Sequence, residues 1–208
     1  MVQQVFDSKI AIFQYDGLDT FEGRDKVKKT IDSVFDSFDI KNSTATEAYN
    51  GGMTTVKNTK QFPIDKLLDF KNHDLGRWIL KHISIGAKEL GIKNKNYNEF
   101  KFVRSWMNRT LKGSHGAAHK HNTVCDMVCI FYYEAPENSS DLVFINDVLS
   151  TMNTDRYDMF PENKRFHLKP KPGMFVCHDP DIPHAISTHN NDLPRTVIVF
   201  EPFFKLAD

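Results

Sequence analysis

Cysteine is scarce in this chain: three residues, Cys125, Cys129 and Cys177, in 208. An odd count excludes a fully paired disulfide framework, and Cys125 and Cys129, both in one β-prone run, lie too far apart along a strand to bridge. The thiols are expected as buried packing in a reducing compartment. Long apolar runs are also missing, with no window approaching the roughly 18 residues that cross a bilayer. The opening MVQQVFDSKIAIFQYDG lacks a basic stretch followed by an apolar core. We therefore expect a cytoplasmic, soluble protein with no membrane partner, in which the N-x-S/T patterns at Asn42, Asn108 and Asn138 have no glycosylation role. Net charge is absent too: 27 basic residues balance 27 acidic ones, which leaves no electrostatic signature of nucleic-acid binding. Repeats, low-complexity tracts and linkers are lacking as well. The length suits a single domain over 1–208, with an N-terminal strand and supporting helices in 1–98 and a β-rich core in 99–204.

The elements that are present change character midway. Val5 to Tyr15 alternates as a strand closed by Asp16-Gly17. From Glu22 to about Phe38, apolar residues at Val27, Ile31, Val34, Phe35 and Phe38 keep helical spacing. A short helix is predicted from Ile64 to Phe70 after Pro63. A longer one runs from Asp74 to about Leu90 and stops at Gly91. His82 on its apolar stripe reads as a packed side chain. After Asn96 the period changes to that of short strands: Phe100 to Arg109, Met127 to Tyr133, Leu142 to Asn146, Phe166 to Leu168, Met174 to His178, His184 to Thr188 and Thr196 to Phe203. Turn residues separate them. The fold class expected is α+β, mainly β: a double-stranded β-helix, a jelly roll or cupin-like barrel, with N-terminal helices packed on one sheet.

The stretch GSHGAAHKHNTVCDMVCIFYYE, Gly113 to Glu134, organises the functional reading. In an extended segment alternate side chains share a face, so His119 and His121 point together and Lys120 points away. Two imidazoles at one strand end call for a third ligand from a distant strand, and His184 in Asp-Ile-Pro-His is the best candidate. That set would form one face of an octahedral metal and leave the other for substrates. Asp126 could supply a carboxylate instead of His121, and His115 is near enough to compete. Arg195 follows His184 after a turn, so its strand could run antiparallel beside it. Its guanidinium suits a bidentate pair with a carboxylate next to the metal.

Taken together, Trp106-x-Asn108, His119-x-His121, Cys129 to Tyr133 followed by Pro136, Lys171-Pro172-Gly173, His178-Asp179-Pro180, Pro183-His184 and Arg195 resemble the iron(II)- and 2-oxoglutarate-dependent oxygenases. The chain looks closest to a short branch found in phages and bacteria and related to prolyl hydroxylases, which the Asn50-Gly51-Gly52 turn also resembles. The resemblance implies a jelly-roll core, Fe(II) on His119, His121 and His184, and 2-oxoglutarate anchored by Arg195. It also implies O2 as oxidant and hydroxylation of a C–H bond with release of succinate and CO2. Tyr132 matches the tyrosine that touches the co-substrate in prolyl hydroxylases, with Tyr133 facing the other way, and Asn108 is a candidate for the pocket wall. Besides this small-molecule co-substrate the primary substrate is open, with a peptidyl proline, hence a protein or peptide partner, as the first guess. Met152 to Lys164 carries no substrate motif. Most such enzymes have an aspartate where this chain has His121.

Two other readings use the same residues. Gly113, His119, His121 and Asp126 fall close to a cupin motif, which would imply metal-dependent dioxygenase or isomerase chemistry without 2-oxoglutarate. A non-catalytic jelly roll with incidental histidines is the third. Trp78 and Trp106 read as core aromatics, His178 as a rim histidine, His167 and His189 as exposed, and Asp179 and Asp181 as turn residues.

Overall fold

The computed structural model describes residues 1–37, 49–56, 64–121, 124–146 and 160–207. The polar stretch after Phe38, Pro63 and most of the segment from Met152 lie outside them. Twelve strands are described, in two antiparallel sheets.

Seven strands form the larger sheet, in the order β1 (Val2–Val5), β2 (Ser8–Gln14), β10 (Met174–His178), β7 (Val128–Glu134), β12 (Arg195–Leu206), β5 (Lys95–Thr110), β4 (Met53–Thr54). Five form the smaller: β3 (Tyr49–Asn50), β6 (His115–His119), β11 (His184–Ile186), β8 (Leu142–Ile145), β9 (Arg165–Leu168). The sheets face each other as the expected double-stranded β-helix. The glycine pair after Asn50 carries the chain from β3 in one sheet to β4 in the other, with Gly51 at φ 77°.

Strand alternation divides the core in two. Cys129, Phe131, Phe175, Cys177, Ile198 and Phe200 face the helices, while Val128, Ile130, Tyr132, Val176, Val197 and Val199 face the smaller sheet together with Leu142 and Phe144. Both faces of β7 and β12 are therefore covered, which explains why these strands read as unbroken apolar runs. Among the thiols, Cys129 and Cys177 are buried and Cys125 is half-buried.

Two long helices cover the outer face. Helix α1 (Arg24–Asp36) buries Val27, Ile31, Val34 and Phe35. Helix α3 (Asp74–Leu90) buries Leu75, Ile79, Ile83 and Ala87, starts with His73 Nδ1 accepting from Gly76 N–H, and ends at left-handed Gly91. Between them α2 is a single turn, Ile64–Leu67. His82 stacks on Trp78 at 3.8 Å between ring centroids and is packing, as its place on the apolar stripe implied. No helix among the described residues is long and apolar enough to cross a membrane.

Three elements depart from the sequence reading. The first segment is a hairpin, β1 and β2, turning at Phe6 with φ 55°. Alternation alone continues across that turn because Val5, Ile10 and Ile12 all enter one core cluster. Strand β5 starts at Lys95, because its polar first half pairs along the end of β12. And β12, which carries Arg195, lies in the larger sheet between β7 and β5, not beside β11. The turn after His184 crosses from one sheet to the other.

Gly173 joins these parts. At φ 79° its N–H donates to the Tyr132 carbonyl at 2.8 Å, and its carbonyl accepts from Tyr15 N–H at 2.9 Å. A Cβ there would collide with the Tyr15 carbonyl. Gly173→Ala therefore combines a left-handed backbone with a clash and should cost about 1–3 kcal/mol, read as a lower urea midpoint at unchanged slope.

Candidate metal centre

The smaller sheet supplies the first pair of imidazoles. Residues His119 and His184 are register partners on β6 and β11, so their rings emerge side by side, with centroids 4.4 Å apart. His121 lies just beyond the end of β6, where its backbone N–H donates to the Pro180 carbonyl at 3.1 Å. One ligand atom from each of the three lies within 4.8 Å of the others.

Which ring nitrogen faces the centre follows from what the other one meets. Nδ1 of His119 meets the Ala117 carbonyl at 2.8 Å, Nδ1 of His184 the Ile182 carbonyl at 3.0 Å, and Nδ1 of His121 a Glu201 carboxylate oxygen at 2.6 Å. These oxygens accept, so each Nδ1 carries a proton and Nε2 of each ring is the nitrogen left to face the centre. Burial, reinforced by the neighbouring imidazoles, pushes His119 down to about 4 and His184 well below its ordinary value. The Nε2 atoms of His121 and His184 are 3.3 Å apart. With their outer nitrogens occupied, the three rings offer a three-nitrogen donor set of the kind that fits a divalent transition metal.

Arg195 approaches from the larger sheet. It is 1 % exposed, and its guanidinium carbon lies 4.9 Å from the Tyr132 ring centroid. Nη1 donates to Thr110 Oγ1 at 3.3 Å, whereas Nε and Nη2 meet no acceptor in good hydrogen-bond geometry among the described residues. The Tyr132 hydroxyl lies beside the guanidinium, and neither it nor Asn108 Oδ1 has a partner in good hydrogen-bond geometry among the described residues. Burial raises the Tyr132 phenol, and the nearby guanidinium opposes this in part, so it remains a donor at neutral pH. A buried permanent cation with two idle donors is costly alone and is satisfied by a carboxylate. Trp106, Asn108, the three histidines and Arg195 share one cavity of about 200 Å³.

The residues singled out in the sequence thus come together, with corrections around them. Asp126 is engaged elsewhere, accepting from Phe204 N–H and pairing with Lys95, and neither it nor His115 belongs to the cluster. His178 is fully buried, not at a rim, with its ring 4.7 Å from that of His184 and its pKa pushed down to about 3 by burial and the adjacent imidazoles. His189 is buried as well, receiving Ser140 N–H on Nδ1 and bonding the Leu193 carbonyl through Nε2. Asp179 caps its own turn, accepting from Asp181 N–H. Lys120 also lines the cavity, and Trp106 stacks 5.8 Å from His121 besides filling core.

Sequence reasoning missed Glu201 and Arg104. Glu201 is wholly buried and takes two 2.7 Å bonds from Arg104, through Nε and Nη2, in addition to that from His121. Burial works to raise its carboxyl, but the bonds from His121 and Arg104 prevail and hold it down at about 2. The available signal was a lone acid inside the apolar run TVIVFEPFF.

Residues 104–201 match the family described as "Putative 2OG-Fe(II) oxygenase". No curated protein matches the chain in sequence. Among solved structures, EvdO2 from Micromonospora carbonacea var. aurantiaca is similar at TM-score 0.57 and 19 % identity, over 100 % of this chain and 96 % of that one. A Trichoplax adhaerens prolyl hydroxylase, solved with a hypoxia inducible factor peptide fragment, matches at 0.57 and 12 % identity over 94 % and 83 %. An oxidoreductase of the 2OG-Fe(II) oxygenase family from Burkholderia pseudomallei aligns at 0.44 and 15 % identity; the match takes in 62 % of this chain and only 57 % of that one. At these identities the first two likenesses show the fold.

If the three imidazoles hold the ion, wild-type protein should take up one equivalent of Co(II) or anaerobic Fe(II) by calorimetry. His184→Ala should lose that binding while keeping its thermal transition.

Proposed function

We propose, from the match of residues 104–201 to the 2OG-Fe(II) oxygenase family, that the chain is a 2-oxoglutarate-dependent oxidoreductase that hydroxylates a C–H bond, with Fe(II) on His119, His121 and His184. The observation that carries the reading is the pairing of two unlike deficits in one cavity: facing imidazole lone pairs, and a buried guanidinium with two unused donors. A divalent metal and a dicarboxylic keto acid answer both. Bound there, iron(II), 2-oxoglutarate and O2 supply the oxidising power, with succinate and CO2 as by-products.

The chain's own residues do the rest. Each imidazole is fixed in tautomer and orientation by its Nδ1 acceptor. Arg195 offers Nε and Nη2 to the distal carboxylate of the co-substrate, the Tyr132 hydroxyl adds a third donor, and Asn108 lines the wall. Ile130, Val197 and Val199 line the cavity with hydrocarbon, which limits water around the reacting groups and strengthens the charged contacts. Trp106 packs against the His121 ring and restricts its rotation.

A peptidyl proline is the first substrate to test, supported by the motif resemblance and by the peptide-bound prolyl hydroxylase among the structural neighbours. The cupin alternative gives Arg195 no work, and so does a non-catalytic jelly roll.

The test is an anaerobic titration of metal-free protein with Fe(II) and then 2-oxoglutarate, followed by the weak visible charge-transfer absorption that needs both on one metal. The band should form only with both present. Arg195→Ala removes one partner of a buried charge pair and should raise the 2-oxoglutarate concentration required by roughly 30-fold or more, with metal affinity little changed. A band that forms with wild-type dependence in the variant would refute the clamp.

A further inference from the structure

The three ligand candidates differ in what holds their outer nitrogen. His119 and His184 donate Nδ1–H to neutral backbone carbonyls, but His121 donates to a carboxylate, at the shortest of the three distances. That carboxylate belongs to a residue with no solvent exposure, in a strand whose neighbouring positions are apolar. An acid in such a place is costly unless its oxygens are filled, and here they are: Oε2 takes Arg104 Nε, and Oε1 takes both Arg104 Nη2 and His121 Nδ1. Arg104 and Glu201 are register partners on β5 and β12, and the register shifts immediately afterwards, between Glu201 and Pro202. The ladder itself therefore sets the carboxylate against the imidazole.

We propose that Glu201, oriented by Arg104, is the positioning carboxylate of the metal centre: it gives His121 part of the negative charge that an acidic ligand in that place would supply directly. A hydrogen bond from imidazole to carboxylate raises the basicity of the opposite nitrogen and lends the ring imidazolate character. Three neutral nitrogen donors alone leave the full double charge of a divalent ion in a cavity that also contains Arg195. Glu201 offsets that charge from one bond further out and leaves the coordination face unchanged. The same strand thus serves both ends of the cavity, with Arg195 at one end, Glu201 at the other, and Val197 and Val199 between them. Arg104, itself lining the cavity and packed 5.4 Å from the Trp106 ring, is the second positioning residue.

This inference rests on the metal reading above, and the experiment separates the two. Co(II) and Zn(II) affinities are measured by competition with a chelator for wild type, Glu201→Gln, His121→Ala and the double variant, alongside the thermal transition of each. Glu201→Gln keeps the shape but removes the charge, and should weaken metal binding roughly 10- to 100-fold. In the His121→Ala background the same substitution should have little further effect, a coupling that a purely structural role would not produce. Equal loss in both backgrounds, or unchanged affinity in Glu201→Gln, would overturn the proposal. Absence of metal binding in wild type would instead remove the metal reading itself. Should Glu201→Gln fail to fold, proton NMR of the zinc-loaded wild-type protein decides: the His121 Nδ1–H should resonate well downfield of those of His119 and His184, and three equivalent shifts would refute the carboxylate's role.

Discussion

Three imidazole lone pairs converging in a buried cavity is the constraint around which the rest is arranged. Burial beside the other imidazoles pushes His119 and His184 below the ordinary imidazole range, and each of the three rings is aimed because its outer nitrogen is already bonded. His121 and His184 bring their Nε2 atoms to 3.3 Å, a close approach of two buried nitrogens. A scaffold that enforces it must be rigid. The rigidity comes from a sandwich whose central strands are packed on both faces, so a shift of β7 or β12 would disturb both core clusters.

The division of labour between the sheets follows from this. The smaller sheet brings His119 and His184 into register, and the larger sheet places Arg195 and Glu201 across from them. Among the described residues no helix contributes to the histidine cluster or to the lining of its cavity. The helices cover the outer face of the larger sheet, burying Phe131, Phe175 and Phe200, and so let β7 and β12 carry apolar side chains in both directions. A larger cleft of about 520 Å³ lies on that helix-facing side, between Tyr15, Tyr133 and Pro172, and contains no member of the histidine cluster. Size alone would choose the wrong cavity; donor chemistry chooses the smaller one.

Much of the candidate site was legible because its signals are local or ordered along the chain. His119-x-His121 announces itself by spacing, and His184 and Arg195 by type and sequence order. Strand alternation also separated Tyr132 from Tyr133, which face opposite core clusters. What was not legible depends on contacts between distant strands. Glu201 reads as an oddity in an apolar strand until Arg104 is seen opposite it. His178 and His189 look like turn-proximal surface residues, yet both are buried, His178 at the end of β10 against the rings of His184 and Phe144, and His189 between Ser140 N–H and the Leu193 carbonyl. Arg195 was expected beside the strand of His184, although the turn between them changes sheets.

The sequence by itself determined which chemistry could be assembled: the ligand types, the guanidinium, the helix boundaries at Asp74 and Gly91, and the alternation of the paired strands. These are properties of single residues and short periods, and they need no partner to be read. Only the tertiary structure decided which nitrogen of each imidazole faces the centre, which side of the cavity Arg195 enters from, and that a buried carboxylate, Glu201, stands behind His121. Those outcomes are set by what lies across a sheet or a cavity from each group, and register between remote strands is fixed by packing the whole sandwich.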